Sequence, residues 1–263
     1  MPLLDSFLAD GFLRFPAEAA SRAWAAHARP VAAAATADSA HAHWLRCGGT
    51  WFVGVDALPN DATGRLAGGP PLAGAAIDFI RDGLKLALPL HRAQVSVCYP
   101  GYPQPSAEES PAAYAFRRNR DAAHVDGLLA EGPEKRRYLK EPHAYILGIT
   151  LTEQSPDAAP LTVWKGSHRI MQAMFAEAFA GCPPEQWRTV DVTDAYQAAR
   201  REVFANCERL TLPSAPGEAV LVHRHLVHGV APWGEQATAA PEGRMIAYLR
   251  PEFPAIADWL NAP

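Results

Sequence analysis

His124-Val125-Asp126 sets an imidazole and a carboxylate two residues apart. On an extended backbone, residues i and i+2 face the same side, so the pair can offer one nitrogen and one oxygen to a single ion. A third donor must come from elsewhere, and His223, His225 and His228 form a second cluster far downstream. Two histidines and a carboxylate on one face of an octahedron leave three positions open. That arrangement suits non-haem Fe(II), with a co-substrate and O2 at the open positions. In a chain with ten histidines, such a tripeptide also occurs as two polar residues at a strand end. Its surroundings argue for more. Asp126 precedes Gly127 and a strand pattern, the late histidines close the apolar run from Gly217 to Gly229, and Arg244 opens another strand pattern.

Donors this far apart in sequence need a scaffold that folds back on itself. Residues 93–99, 122–129, 143–152, 161–164, 209–212, 219–223, 228–232 and 244–249 read as short strands separated by Gly/Pro turns, which predicts a sandwich or jelly-roll barrel. Upstream, residues 3–15 read as a short helix capped by Asp5 or Ser6, turning at Asp10-Gly11 into a strand at 12–15. The Ala-rich stretch from 17 to 35 predicts a helix that Pro30 interrupts. A strand is expected at 51–55, a loop at 58–71, and a helix at 73–88 that Pro89 stops. Between the late strands, 170–207 is helical in places, with Asp194 and Gln197 resembling a capping box. The expectation is one domain over residues 1–263, mainly β with flanking helices. Helical support would span about 1–90 and the jelly-roll core about 91–250, with the insertion at about 170–207.

Composition narrows the function classes. With 24 basic and 28 acidic residues, the net charge of −4 speaks against general nucleic-acid binding, which needs a basic excess. No run of 18 apolar residues offers a membrane span. The start, Met1 to Asp5, carries acid where a secretory signal carries base. Cys47, Cys98, Cys182 and Cys207 are scattered, as expected of reduced thiols. A soluble cytoplasmic globular protein is the expectation.

In several landmarks the sequence resembles the phytanoyl-CoA dioxygenase-like family of Fe(II)/2-oxoglutarate oxygenases. They are the opening from Phe7 to Pro16, His124-Val125-Asp126-Gly127, residues 149–151 leading to 161–169, Gly217-Glu218, His228-Gly229, and Arg244. The resemblance spans about residues 3–250 and implies a double-stranded β-helix (a cupin-like jelly roll) with iron at one mouth. It implies His124, Asp126 and His228 as iron ligands, preferring His228 over His223 and His225 because a glycine follows it. Arg244 would hold the distal carboxylate of 2-oxoglutarate, for which a planar guanidinium fork is suited; Arg250 is the lesser rival. Gln94 and Tyr99 would line the cofactor pocket. The implied reaction is hydroxylation of a small molecule, with Fe(II), O2 and decarboxylation of 2-oxoglutarate to succinate. The alternatives are desaturation or epimerisation on the same cofactors, or a metal-binding jelly roll without turnover. The sequence departs from the family at Lys165, where proline is usual, and in a longer loop between His228 and Arg244. Asp126 stands where related halogenases carry a small residue, which favours hydroxylation over halogenation. Lys135, Arg136 and Arg137 read as solvated surface.

Overall fold

The computed structural model describes residues 2–107 and 109–263. Its frame is a major antiparallel sheet facing a smaller one. The major sheet comprises β1 (Phe12–Phe15), β2 (Leu45–Arg46), β3 (Trp51–Leu58) and β4 (Ala93–Cys98) from the first half of the chain. A hairpin follows, β5 (Leu128–Glu131) with β6 (Arg136–Leu139), before β7 (Tyr145–Thr150) rejoins the major sheet. The smaller sheet takes β8 (Leu161–Trp164) and β9 (Arg209–Leu212); β10 (Ala219–His223) returns to the major sheet, β11 (His228–Val230) to the smaller one, and β12 (Arg244–Leu249) to the major one. The orders are β1-β10-β7-β12-β4-β3-β2 and β11-β8-β9. Strands that alternate between two facing sheets make a jelly roll.

Period-two alternation explains why this sequence builds it. On the major sheet, Val95, Val97, Leu147, Ile149, Leu221, Met245, Ala247 and Leu249 point outward into the larger core. There they meet α2 (Ala19–Ala37), which buries Trp24, Ala25, Ala28 and Ala32. The opposite face sends Ile146, Val220 and Val222 inward against Leu161, Val163 and Leu212 of the smaller sheet. The central strands β7, β10 and β12 are therefore buried on both faces, once by helices and once by the facing sheet. Among the described residues, no helix is long and apolar enough to cross a membrane.

Several local expectations are corrected. The short helix α1 (Leu3–Asp10) begins at Leu3 with Pro2 as its cap residue, and neither Asp5 nor Ser6 caps it. Helix α2 runs through Pro30. Proline leaves the carbonyl four residues earlier without a partner, but Ala26 and Pro30 are both exposed, so water can take that carbonyl. The helix expected at 73–88 is only α3 (Ala75–Asp78) plus a widened turn over Phe79–Gly83. Lys85, with φ at 57°, ends it.

Of the strand expected at 122–129, only Leu128 and Leu129 are in one, as the start of β5; residues 122–127 are not. Asp121 and Ala122 take positive φ values of 55° and 52° and Gly127 one of 85°, so the segment is a bridge between two turns. After α4 (Pro111–Asn119), the insertion holds α5 (Ser167–Ala178) and α6 (Thr193–Asn206). Asp194 lies inside α6; the side chain that accepts the Thr193 amide is Asp191, at 2.9 Å. The chain closes with α7 (Ile256–Asn261).

Candidate metal centre

His124, Asp126 and His228 converge at one mouth of the barrel. Their donor atoms lie within 4.8 Å of one another, the one such set of three among the described residues. His124 Nε2 is 3.1 Å and His228 Nε2 3.7 Å from Asp126 Oδ1. The two histidines are 104 residues apart in sequence and meet through the backbone. The His124 amide donates to the His228 carbonyl at 2.8 Å, and the His228 amide returns the bond at 3.0 Å. Two glycines permit this closeness. A Cβ on Gly229 would lie 2.2 Å from the Asp121 carbonyl oxygen, and one on Gly127 2.2 Å from that of Glu141.

Both imidazoles are oriented alike. His124 Nδ1 meets the Ala122 carbonyl at 2.9 Å, and His228 Nδ1 meets the Leu226 carbonyl at 2.9 Å. A carbonyl only accepts, so each Nδ1 carries the hydrogen and each Nε2 presents its lone pair to the centre.

Arg250 completes the arrangement from the side, with Nη1 donating to Asp126 Oδ2 at 3.1 Å. Burial pushes the Asp126 carboxyl up, but the Arg250 guanidinium and the two imidazoles beside it outweigh that and hold the group well below its usual value. At His228, burial disfavours the charged ring, yet the neighbouring Asp126 carboxylate favours it more and raises its pKa. The guanidinium occupies one carboxylate oxygen and leaves the other facing the two Nε2 atoms.

The centre opens into a cavity of about 430 Å³. Its walls follow the inward parity of three neighbouring strands: Trp51, Val53 and Val55 of β3, Gln94 and Ser96 of β4, and Tyr248 of β12 with Arg250 just past its end. Ile146 of β7 extends the same wall, Leu161 and Val230 of the smaller sheet face it, and Trp44 and Leu129 complete the lining. Glu141 is the second acid there and is tied to His143 at 3.1 Å, the bond that lowers its pKa. Arg244 shares the inward parity of Tyr248 but lies deeper, 1% exposed, with Nε and Nη1 lacking any hydrogen-bond partner. It is close enough to Tyr248 for its charge to offset part of the rise that burial imposes on that phenol.

Of the residues expected to bind cofactor, Gln94 lines the cavity, while Arg244 is buried on the same face of β12 as Tyr248 and does not itself line it. Tyr99 is a correction. β4 ends at Cys98, and the odd positions Val95 and Val97 face the helical side. Tyr99 follows that parity into a separate pocket with Thr36 and Phe52. His223 and His225 also stay away from the centre. The His225 ring lies 4.3 Å from that of Trp259, and the His223 ring 4.8 Å from that of His168. Ser167, the first residue of α5, accepts the Val227 amide at 2.9 Å beside His228. Sequence reasoning missed Trp51 and Tyr248, for which the alternation within β3 and β12 was the signal available, and weighed Arg250 only for 2-oxoglutarate, not as the partner of Asp126. It also missed Tyr196, whose hydroxyl accepts the Val125 amide at 3.1 Å.

No family model matches the chain, and no curated protein matches it. Solved structures do. EctD from S. alaskensis with 2-oxoglutarate and 5-hydroxyectoine is 18% identical, with 96% of this chain and 76% of that one covered at a TM-score of 0.51. The same protein with bound Fe gives 17% identity, 94% and 74% coverage and a TM-score of 0.50. The epimerase SnoN in complex with Fe3+, alpha ketoglutarate and nogalamycin RO is 14% identical, with 95% and 82% covered at a TM-score of 0.53. What the chain shares with these proteins is the fold.

Proposed function

We propose that this chain is a non-haem Fe(II)- and 2-oxoglutarate-dependent oxygenase that hydroxylates a small molecule. The observation that carries the reading is the orientation of His124 and His228. With both Nδ1 hydrogens committed to carbonyls, two Nε2 lone pairs and a carboxylate oxygen face one another. Three lone pairs at this spacing repel unless a cation lies between them, and nitrogen plus carboxylate donors suit Fe(II). His124, Asp126 and His228 would be the ligands.

Arg244 would take the distal carboxylate of 2-oxoglutarate. A fully buried guanidinium with two unpartnered nitrogens carries a heavy desolvation cost that a carboxylate would offset. Gln94 and Tyr248 would flank the co-substrate, while Arg250 keeps Asp126 ionised and turned toward the metal. Bound together, iron and 2-oxoglutarate supply the oxidation: O2 is reduced, the co-substrate becomes succinate and CO2, and a substrate C–H bond is oxidised. The apolar walls of Trp51, Val53, Val55 and Leu129 exclude water and favour a substrate with an apolar reacting face.

Asp126 supports hydroxylation over halogenation, because its carboxylate takes the position a halide would need. The ordered landmarks from Phe7 to Arg244 support a place among the phytanoyl-CoA dioxygenase-like enzymes, as one cytoplasmic catalytic domain. The test is anaerobic addition of Fe(II) and 2-oxoglutarate, which should give a weak visible charge-transfer band, followed by succinate release on admitting O2. Retention of both band and succinate by His124→Ala would reject the ligand assignment. Product analysis with a turned-over substrate separates a hydroxylated product from an epimer.

A further inference from the structure

A second concave site lies behind the metal centre. It is a groove of about 340 Å³ between β6 and α6, floored by Tyr196 and flanked by Lys135, Arg137, Arg200 and Arg201. We propose that this groove binds the phosphate groups of a small molecule.

The argument starts from charge. The protein as a whole is acidic, with net charge −4, yet four cations converge here, with Glu134 the one acid on the rim. Among the described residues, none of the four has a carboxylate partner. Their neighbour Arg136 shows what ordinary compensation looks like. It pairs with Asp191 at 2.5 Å and Asp194 at 3.3 Å, at the start of α6. Arg137 faces the groove and gives its Nη1 to the Leu128 carbonyl at 3.1 Å, which leaves its charge unneutralised.

Arg200 is held in place without being satisfied. Its guanidinium lies 4.5 Å from the Phe116 ring centroid, 5.2 Å from that of Tyr196 and 5.8 Å from that of Phe204. Its Nε is buried with no hydrogen-bond partner. A planar fork fixed against aromatic rings loses little freedom on meeting a phosphate, and its donors match phosphate oxygens in pairs. Several cations around one concavity fit a pyrophosphate-sized anion better than a single carboxylate.

The groove also touches the metal centre's support. Tyr196, on its floor, is the residue whose hydroxyl accepts the amide of Val125, between the two ligands of the tripeptide. Leu129 lines the oxygenase cavity from β5 while Arg137 lines the groove from β6.

The test is isothermal titration of the full chain with inorganic pyrophosphate in buffer containing EDTA, so that no metal bridges the anion. The expected result is saturable binding that weakens as NaCl is raised. Lys135→Met/Arg201→Met removes two exposed cations without touching the core and should weaken binding by about tenfold or more. Arg200→Met should do the same, with an unchanged melting temperature showing that the fold is kept. Arg244→Met tests whether the anion enters the oxygenase cavity instead. Arg81→Met, whose arginine pairs with Asp78 and Asp82, makes the same charge change elsewhere. Both controls should bind as the wild type does. Absence of saturable binding overturns the proposal, and so does a loss in either control as large as in the groove variants. Adenosine diphosphate and ribose 5-phosphate, titrated in parallel, distinguish a nucleotide from a sugar phosphate as the source of the phosphate.

Discussion

His124 and His228 hold each other through a reciprocal pair of backbone hydrogen bonds, 2.8 Å and 3.0 Å long, with their rings 4.7 Å apart. The spacing of the two imidazoles is thus set by main-chain pairing between distant segments. Each ring is then turned by the carbonyl two residues before it. This leaves both side chains little freedom to lose on binding an ion.

His124→Ala and His228→Ala should each abolish the anaerobic charge-transfer band and weaken Co(II) binding by at least about hundredfold. Outer-shell changes alone commonly cost 10–100-fold, and these remove a donor outright. Titration of the metal-free protein with Co(II), followed by absorbance, measures it.

Arg250→Met is expected to act on the metal. Without the guanidinium, the largest influence opposing burial at Asp126 is gone and its carboxyl pKa rises. Since the ionised form is the ligand, metal affinity should fall about 10–100-fold and its acid limb should move to higher pH. Co(II) titrations repeated across pH 5 to 8 read both effects; an unmoved acid limb would contradict the role assigned to Arg250.

Arg244→Met should leave Co(II) binding close to wild type and weaken 2-oxoglutarate instead. Losing a charge-assisted bond of about 1.5–3 kcal/mol corresponds to roughly 10–150-fold in affinity. Comparing the two arginine variants by metal and 2-oxoglutarate titration separates their duties.

Acid should destabilise the fold through His223 and His225. Burial first, then neighbouring positive charge, holds both well below the ordinary histidine value. Below about pH 6.5 the unfolded chain binds protons that the folded chain refuses. Stability is therefore complete above that pH and falls beneath it, by up to about 1.4 kcal/mol per pH unit for each group. Neither ring nitrogen of His225 has a hydrogen-bond partner, so His225→Leu should flatten the dependence of melting temperature on pH.

Gly127→Ala should cost roughly 1–3 kcal/mol and loosen the metal site. The backbone there has φ at 85°, and the new Cβ would collide with the Glu141 carbonyl. Thermal denaturation gives the first effect and Co(II) affinity the second.

Much of this architecture was legible in the sequence, because its signal is local. Alternation located the strands from β7 to β12, and the ligand types at 124, 126 and 228 suggested a metal before any contact was known. What escaped were features decided by packing. Pro30 reads as a break, yet α2 continues because its freed carbonyl faces water. Residues 122–129 read as a strand, yet Asp121, Ala122 and Gly127 bend it into turns. Arg250 sits beyond the end of β12, and nothing nearby in sequence says that Asp126 lies beside it. Tyr99 went astray by one step of parity.

The alternation of β12 carries one more consequence, for how this barrel can change length. Arg244, Tyr248 and Arg250 share one face, fixed by pairing with β4 and β7 rather than by distance from His228. The connection from β11 is exposed at Glu235 and Gln236, so residues can be gained or lost there while both arginines keep their places. That gives a physical reason for the long interval between His228 and Arg244. A one-residue insertion between Arg244 and Arg250 would instead swap inward for outward positions, parting one arginine from its post while the metal ligands stayed where they are.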